Sequence, residues 1–506
     1  MALLLGIDIG SSALKAAMID EESGLCLIRT VAYDEDWIGE KPDYLERNIE
    51  TYWEATKKCL KLFLEQDKID VQKIKAVSFS TQGETFVPMD ESFRPLRKTI
   101  QGHDVRAQEE AEILRSEFGD HEMYPVSGQP TIDAYWPAVK ILWIKRNQPE
   151  VFAKTRRYVM IEDYIIHKLT GKFVTEKSLI GTSYYYDIEH QQWYLPMMEF
   201  LGITNEMLPE VMNPAEVVGE VKPEASVETG LSTDTLVVTG AMDQIAGGVG
   251  AGNVAPEIIT ETTGTSLAIG VTGRGNLKDY FSTGLPICFH AVKGAYFLMP
   301  WEGSGGLTFQ WFAREFAALE KLQAEQDNKD PYDILTTFAA RVPAGCEGLI
   351  MLPYLIGTVG PEPNPNARGV YFGISINHTK AHFVRAILEA IGYVIRANTE
   401  VIRKCGIQVS EIRSMGGGSK SRLWNQINAD ICKIPVSTME ISDTAALGAA
   451  LLAGVGSGVY KQVEATCQSR FLKTKETFVP DSGRTKVYDE CYRKYRSLYQ
   501  HLKEIF

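Results

Sequence analysis

Apolar residues open the chain as one run, Leu3–Ile9, interrupted by a single acid, Asp8, and closed by Gly10-Ser11-Ser12. A second run covers residues 13–19. A third covers 25–33, after Glu21-Glu22-Ser23-Gly24. Strand, tight turn, strand, turn, strand predicts a meander of hairpins. A dinucleotide-binding or Walker-type unit would pass from its first Gly-rich turn straight into a helix, and neither GxGxxG nor GxxxxGK[ST] occurs. The pattern returns halfway along. Residues 256–261 lead into Thr262-Thr263-Gly264-Thr265-Ser266, and the apolar run resumes over 267–271. Gly10 and Gly264 are separated by half of the 506-residue chain. One strand–hydroxyl turn–strand unit met twice predicts two similar lobes facing each other. Coincidence between two common Gly/Ser/Thr turns is the alternative on this observation alone.

Between and after these units the periodicity alternates. Residues 49–64 and 136–146 and Lys380–Lys404 repeat with a helical period, whereas 74–80 and 235–241 read as strands. The chain is therefore of the mixed α/β class. The Gly-rich stretch at 246–252 is the expected lobe boundary, giving lobes 1–248 and 249–506. The last stretch, 486–505, reads as a packing or surface helix without a motif. Apolar residues at 44% and charged residues at 23% leave ample core-forming material and exclude disordered or disulfide-scaffold classes. The net charge of −13 is the wrong sign for counterion-release binding of nucleic acid, so an anionic ligand needs a local, shaped site. Eight cysteines lie far apart with no CxxC pair, which reads as free thiols in a reducing compartment. The apolar start lacks a basic segment, and no run of 18 apolar residues exists. These features predict a cytoplasmic protein with no membrane partner, and they leave a homodimer open.

Four clusters can carry chemistry. In Asp8-x-Gly10-Ser11-Ser12-x-x-Lys15, glycine lets a phosphate approach the backbone, the turn N–H groups and hydroxyls donate to it, and lysine adds charge. Asp8 at a strand end is a candidate Mg²⁺ ligand, usually through water. The other reading is a hairpin turn with a capping acid. Thr265 and Ser266 beside Gly264 offer a second hydroxyl turn, and two such turns suit a phosphate chain clamped from both lobes. Asp243, in Gly240-Ala-Met-Asp243-Gln244 after a strand, can point into a cleft and accept the proton of a hydroxyl attacking phosphorus; alternatively it caps the next helix. Met415-Gly-Gly-Gly-Ser-Lys-Ser421, between a strand at 412–415 and a helix Arg422–Cys432, offers flat backbone for a planar base or helix N–H groups for phosphate.

Taken in order, these motifs with Ala445-Ala-Leu-Gly-Ala-Ala450 resemble the FGGY carbohydrate kinases. So do the longer stretches 135–147 and 369–389, and the likeness runs from residue 3 to about 460. The resemblance implies two actin/hexokinase-like (ribonuclease H-like) lobes closing on MgATP, with an ATP and sugar cleft between them, and phosphorylation of a sugar or polyol hydroxyl. It implies Asp243 as catalytic base, Ser11, Ser12 and Lys15 as the first phosphate turn, and Gly264 and Thr265 as the second. Gly306 and Gln310 would be further nucleotide contacts. Gly417 and Ser421 fall where the family holds adenosine, and Asp8 and Asp243 are the Mg²⁺ acids. Asp443 stands where many members carry Glu, and Ser11-Ser12 where Thr is more frequent; both keep the chemical type.

For the sugar, Gln82-Gly83-Glu84-Thr85 resembles the Gln-Arg-Glu-Thr of glycerol kinases with Arg replaced by Gly83. The Met-His pair usual in xylulose kinases is absent. Tyr135 and Gln244 sit where glycerol kinases touch substrate. His103, Asp104 and Arg106 resemble a Trp-x-Asp-x-Arg loop with His for Trp. The opened, more polar pocket implies a ketopentose such as xylulose or a related ketose or polyol, with Gly83, Glu84, His103, Asp104, Tyr135, Asp243 and Gln244 as its contacts. A glycerol or other polyol kinase is the alternative within the class. An actin- or chaperone-like ATPase without sugar transfer is the alternative outside it, and it would need no acceptor base.

Overall fold

The structure is a computed structural model that describes residues 2–37, 39–41 and 44–506. In the first half, β1 (Leu3–Ile9), β2 (Ala13–Asp20) and β3 (Leu25–Ala32) form the antiparallel meander. β4 (Ile74–Thr81) joins β1 in parallel on its other side. β5 (Val217–Glu220), β6 (Leu236–Val238) and β7 (Ala241–Met242) complete a seven-stranded sheet of order β5-β6-β4-β1-β2-β3, with β7 also paired to β4.

The second half repeats this plan. β8 (Ile258–Thr263) and β9 (Leu267–Arg274) form its hairpin, followed by β10 (Ile287–Phe289), β11 (Ala295–Leu298) and β12 (Trp301–Glu302). β13 (Glu411–Gly416), β14 (Val436–Met439) and β15 (Thr474–Phe478) finish an eight-stranded sheet of order β10-β11-β9-β8-β13-β14-β15, with β12 on β9. In both sheets three antiparallel strands lead into two parallel ones: β3-β2-β1 into β4-β6, and β11-β9-β8 into β13-β14. The turn seen twice in the sequence belongs to a whole sheet built twice.

Helices cover the sheets, and the ones that matter for the site are α1 (Glu50–Lys61), α2 (Pro137–Asn147), α3 (Ile161–Thr170), α4 (Lys177–Ile180) and α5 (Asp243–Gly250). In the second half they are α6 (Gly306–Phe316), α7 (Lys380–Lys404), α8 (Arg422–Cys432), α9 (Thr444–Gly456) and α10 (Ser482–Leu502). β1 is buried on both faces, as an apolar run without alternation requires. Leu5, Ile7 and Ile9 pack in one core with Tyr52 and Trp53 of α1 and with Phe79. The other face of β1 receives α9 at backbone contact: a Cβ on Gly6 would lie 2.1 Å from Ala450 N. Buried on every side, α9 is apolar all round.

The Gly-rich stretch at which the boundary between lobes is expected is helical over 246–250, within α5. Its glycines let α5 cross α9 backbone to backbone, since a Cβ on Gly250 would lie 1.9 Å from Thr444 O and one on Gly448 1.8 Å from Ala246 O. The strand read over 235–241 is broken at Gly240, because the chain there presses on Phe79 and a Cβ would sit 1.7 Å from its carbonyl oxygen. Among the described residues no helix is long and apolar enough to cross a membrane, and all eight cysteines are free thiols.

Candidate active site

The register of β1 decides what surrounds its one acid. Asp8 lies opposite Lys15 on β2 and Ser80 on β4, and Ser80 Oγ donates to Asp8 Oδ1 at 2.7 Å. Burial pushes the Asp8 carboxyl up to about 6, against the Ser80 hydrogen bond and the Lys15 charge. Asp243 is the first residue of α5, directly after β7. Burial, then the charges of Asp8 and Glu84, pushes it up to about 7. A carboxyl poised there is a far better proton acceptor than an ordinary aspartate.

Glu84 follows β4 in the left-handed region, with φ +56°, a conformation costly for a non-glycine residue and concentrated at functional sites. Burial raises its carboxyl, while the Thr182 hydroxyl and the Lys140 charge pull it down. Asp243 and Glu84, but not Asp8, line a cavity of about 190 Å³ at the junction of the two sheets. From the first half come Ser11, Gln82, Gly83, Glu84, Gln101, Gly102, His103, Gln129, Tyr135, Trp136, Thr182, Met242, Asp243 and Gln244; from the second come Ser266, Ala268, Met299 and Trp301. Tyr135 meets His103 and Trp301 edge to face, with ring centroids 6.1 Å and 5.8 Å apart, so aromatic contact joins the two halves across one wall.

The structure thus brings Ser11, Gly83, Glu84, His103, Tyr135, Asp243 and Gln244 to one cavity. Asp104, expected among the substrate contacts, is not there. It is fully buried, and its oxygens accept from Leu45 N at 2.6 Å, Arg106 Nε at 2.8 Å and Arg106 Nη2 at 2.7 Å. Its role is to fold the 101–106 loop.

The residues expected at the nucleotide lie on turns, strands and helix starts of both halves. Ser11 and Ser12 are exposed at the β1–β2 turn, whose shape is held by Trp37 Nε1 and Arg47 Nη1 donating to Ser11 O, both at 2.9 Å. Lys15 Nζ lies 2.7 Å from Asp443 Oδ1. Gly264 and Thr265 are exposed, and their carbonyls accept from Gly306 N and Leu307 N at 2.9 Å, which docks this turn on the start of α6. The Gly306 N–H is therefore used inside the protein, and Gln310 is exposed one turn further along. Gly416 pairs with Thr263 in the sheet, which brings the 416–418 loop beside the second turn. Ser421 caps α8, its Oγ accepting from Trp424 N.

The motifs missed several cavity residues. Gln129, Thr182, Met299 and Trp301 belong to none of them and arrive from distant segments. Lys140 was visible as a lysine inside the apolar run of α2, where a charge is rarely tolerated without partners. It is fully buried beneath the cavity and donates to the carbonyls of Gln101, Gly102 and Tyr135, each at 2.7 Å. Burial pulls it down to about 7, while Asp104 and Glu84 push it back up.

A doubled sheet with hydroxyl turns facing a polar, acid-bordered cavity is the architecture of a two-lobed phosphotransferase. Residues 3–250 match the FGGY family of carbohydrate kinases, N-terminal domain, and residues 262–457 match that family's C-terminal domain. The chain belongs to the FGGY family and is a carbohydrate kinase. It is 28% identical over 503 residues to a xylulose kinase of Staphylococcus epidermidis, covering 99% of this chain and 97% of that one. A gluconokinase of Bacillus subtilis is 28% identical over 484 residues, covering 95% and 93%. The solved structure of a ligand-bound xylulose kinase from Lactobacillus acidophilus superposes with a TM-score of 0.89 at 25% identity, covering 99% of this chain and 98% of that one.

Proposed function

We propose that this carbohydrate kinase transfers phosphate from ATP to a terminal hydroxyl of a neutral ketopentose, D-xylulose first among them. The observation that carries the choice is the charge inventory of the cavity. Among the described residues its lining holds two acids, Glu84 and Asp243, and no lysine or arginine. Its one imidazole, His103, is held below its usual value by burial and by the Lys140 charge, and is neutral at pH 7. An aldonate such as gluconate would bring a carboxylate to this site with nothing to pair it, and an unpaired buried charge is strongly disfavoured. Of the glutamines in the lining, Gln82 and Gln101 bond each other and Gln129 Nε2 donates to Ile287 O, while the Gln244 amide and Gln129 Oε1 are left to meet hydroxyls and a keto oxygen.

In this reading Glu84 and the glutamines orient the sugar, and Asp243 accepts the proton of the attacking hydroxyl. In a loose phosphoryl-transfer transition state positioning counts for more than base strength. Ser11, Ser12 and Lys15 from the first lobe (1–248) and Gly264 and Thr265 from the second (249–506) hold the phosphates. Gly306, Gln310, Gly417 and Ser421 border the adenosine. Asp8 and Asp243 fit Mg²⁺: they are oxygen donors whose mutual repulsion a dication relieves, and this ion needs only one or two carboxylates besides water and phosphate. When bound, Mg²⁺ neutralises charge on the transferring phosphate. The eight free thiols support a cytoplasmic location.

The test is ADP release from MgATP with D-xylulose, D- and L-ribulose, L-xylulose, glycerol, erythritol and gluconate. A neutral ketopentose with kcat/KM at least about a hundredfold above gluconate is expected, a gap of about 2.7 kcal/mol. Gluconate as the best acceptor would overturn the charge argument, and glycerol as the best would overturn the size assigned to the Gly83 side. ADP release that no acceptor accelerates would favour an ATPase.

A further inference from the structure

Beside the strand end that precedes Asp243, and outside the cavity lining, lies a group of fully buried carboxyls that the reaction itself does not use: Glu162 and Asp163 on α3, and Glu176 at the start of α4. Among the described residues no lysine, arginine or histidine is ion-paired with any of them. Asp163 and Glu176 have structural duties at helix starts, accepting from Met160 N at 2.9 Å and from Ser178 N and Leu179 N at 2.6 Å and 2.8 Å. Glu162 does something else. Its Oε1 accepts the Gly240 N–H at 2.7 Å across the interface with the strand end, and its Oε2 has no partner.

Two residues further along, Ser178 Oγ accepts the Met242 N–H at 2.9 Å while donating to Glu176 Oε1 at 2.6 Å. Both N–H groups belong to the three residues immediately before Asp243. The same segment is pressed from its other side by the Phe79 backbone, which leaves no room for a Cβ at Gly240, and β7 is only two residues long. A two-residue strand followed at once by a helix is a weak mount for a side chain that must meet a hydroxyl with little error. The two hydrogen bonds from outside the sheet supply the missing constraint.

We propose that Glu162 and Ser178 are positioning residues that fix the strand end Gly240–Met242 and thereby aim Asp243 at the acceptor hydroxyl. Neither touches substrate, and their influence passes through two backbone N–H groups. The price of the arrangement is a set of buried acids without a cation, which a role in merely filling the core would not require, since apolar residues of similar size pack as well. The proposal rests on Asp243 as the proton acceptor.

Glu162→Leu removes the acceptor for Gly240 N, whereas Glu162→Gln keeps a carbonyl oxygen in the same place. Steady-state kinetics on the preferred sugar are expected to show kcat down about ten- to a hundredfold in Glu162→Leu, with both KM values within about threefold, because small misplacement of a reacting group falls on the chemical step. Glu162→Gln should retain kcat within about threefold. Ser178→Ala, a smaller change at the second contact, should reproduce the kcat loss, and it decides the matter if Glu162→Leu does not fold. Wild-type kcat in Ser178→Ala, equal losses in Glu162→Gln and Glu162→Leu, or a kcat loss matched by rises in both KM values would each overturn the proposal. Asp243→Asn is run beside them. If it keeps sugar-dependent turnover, the base reading falls; if it loses turnover while Ser178→Ala does not, only the positioning role falls.

Discussion

Lys140→Met tests whether the cavity proposed for the sugar is held open from below by one buried ammonium. The three carbonyls that Lys140 Nζ binds, those of Gln101, Gly102 and Tyr135, belong to two separate segments that line the cavity. Methionine matches most of the stem but donates nothing. Each buried carbonyl left without a donor costs about 1–3 kcal/mol. Three of them would cost about 3–9 kcal/mol, and relief of the ammonium's own desolvation, several kcal/mol, offsets part of that. A net loss of about 2–5 kcal/mol is therefore expected in urea unfolding followed by tryptophan fluorescence. Without the shared cation the 101–103 and 135–136 segments separate, so the sugar KM should rise at least about tenfold, whereas the ATP KM, assigned to residues outside these two segments, should stay within about twofold. Unchanged stability would refute the hydrogen-bond reckoning. A stability loss with an unchanged sugar KM would refute the link between Lys140 and the cavity.

Two further predictions rest on packing and on buried acids. Gly448→Ala places a methyl 1.8 Å from Ala246 O at the crossing of α5 and α9, so the helices must part; a loss of more than about 3 kcal/mol, or failure to fold, is expected in the same unfolding assay. Stability should also rise as pH falls from about 8 to about 5.5. Burial holds Asp163, Glu176, Glu261 and Glu302 up at about 7, above an unfolded value of about 4. The native state therefore binds more protons than the unfolded one between about pH 4 and 7, and their stabilisation is lost as pH climbs through about 7. His290, held down to about 4 by burial, and His103 and His167, also held down, oppose this below about pH 6.5, and Lys140, held down to about 7, opposes it above that. The buried acids, which include Asp8 and Asp243, outnumber them. Melting temperatures across this range check the sign, and a melt that is higher at the alkaline end would contradict it.

The sequence made some elements plain because their signals are local. α7 and α8 occur at the bounds read from helical period, and α8 begins at Ser421, a residue whose side chain caps it. The two hydroxyl turns were legible because strands, turns and their repetition all leave short-range marks. What escaped depends on partners distant in sequence. Gly250 sits in a stretch that reads as a break but serves a helix crossing whose other side is Gly448. Gly240 divides a strand because of Phe79, far upstream. In the site, motif residues such as Glu84, Asp243 and Gln244 were visible, yet the direction of a side chain was not, so Asp104 was expected at the sugar although Leu45 and Arg106 engage its oxygens. Gln129, Thr182 and Trp301 carried no signal, since only the assembled fold brings them to the cavity.

Sugar-dependent ADP release by Asp243→Asn, with MgATP affinity measured on the same preparation, tests the central claim most directly. The substitution keeps size and hydrogen bonding but removes the proton acceptor, so turnover on the preferred sugar should fall at least about a thousandfold, with MgATP affinity held within about tenfold, since Asp243 is only one of two carboxylates assigned to the ion. Full sugar-dependent turnover in Asp243→Asn, or loss of ATP binding as the sole defect, would contradict the assignment of Asp243 as the base.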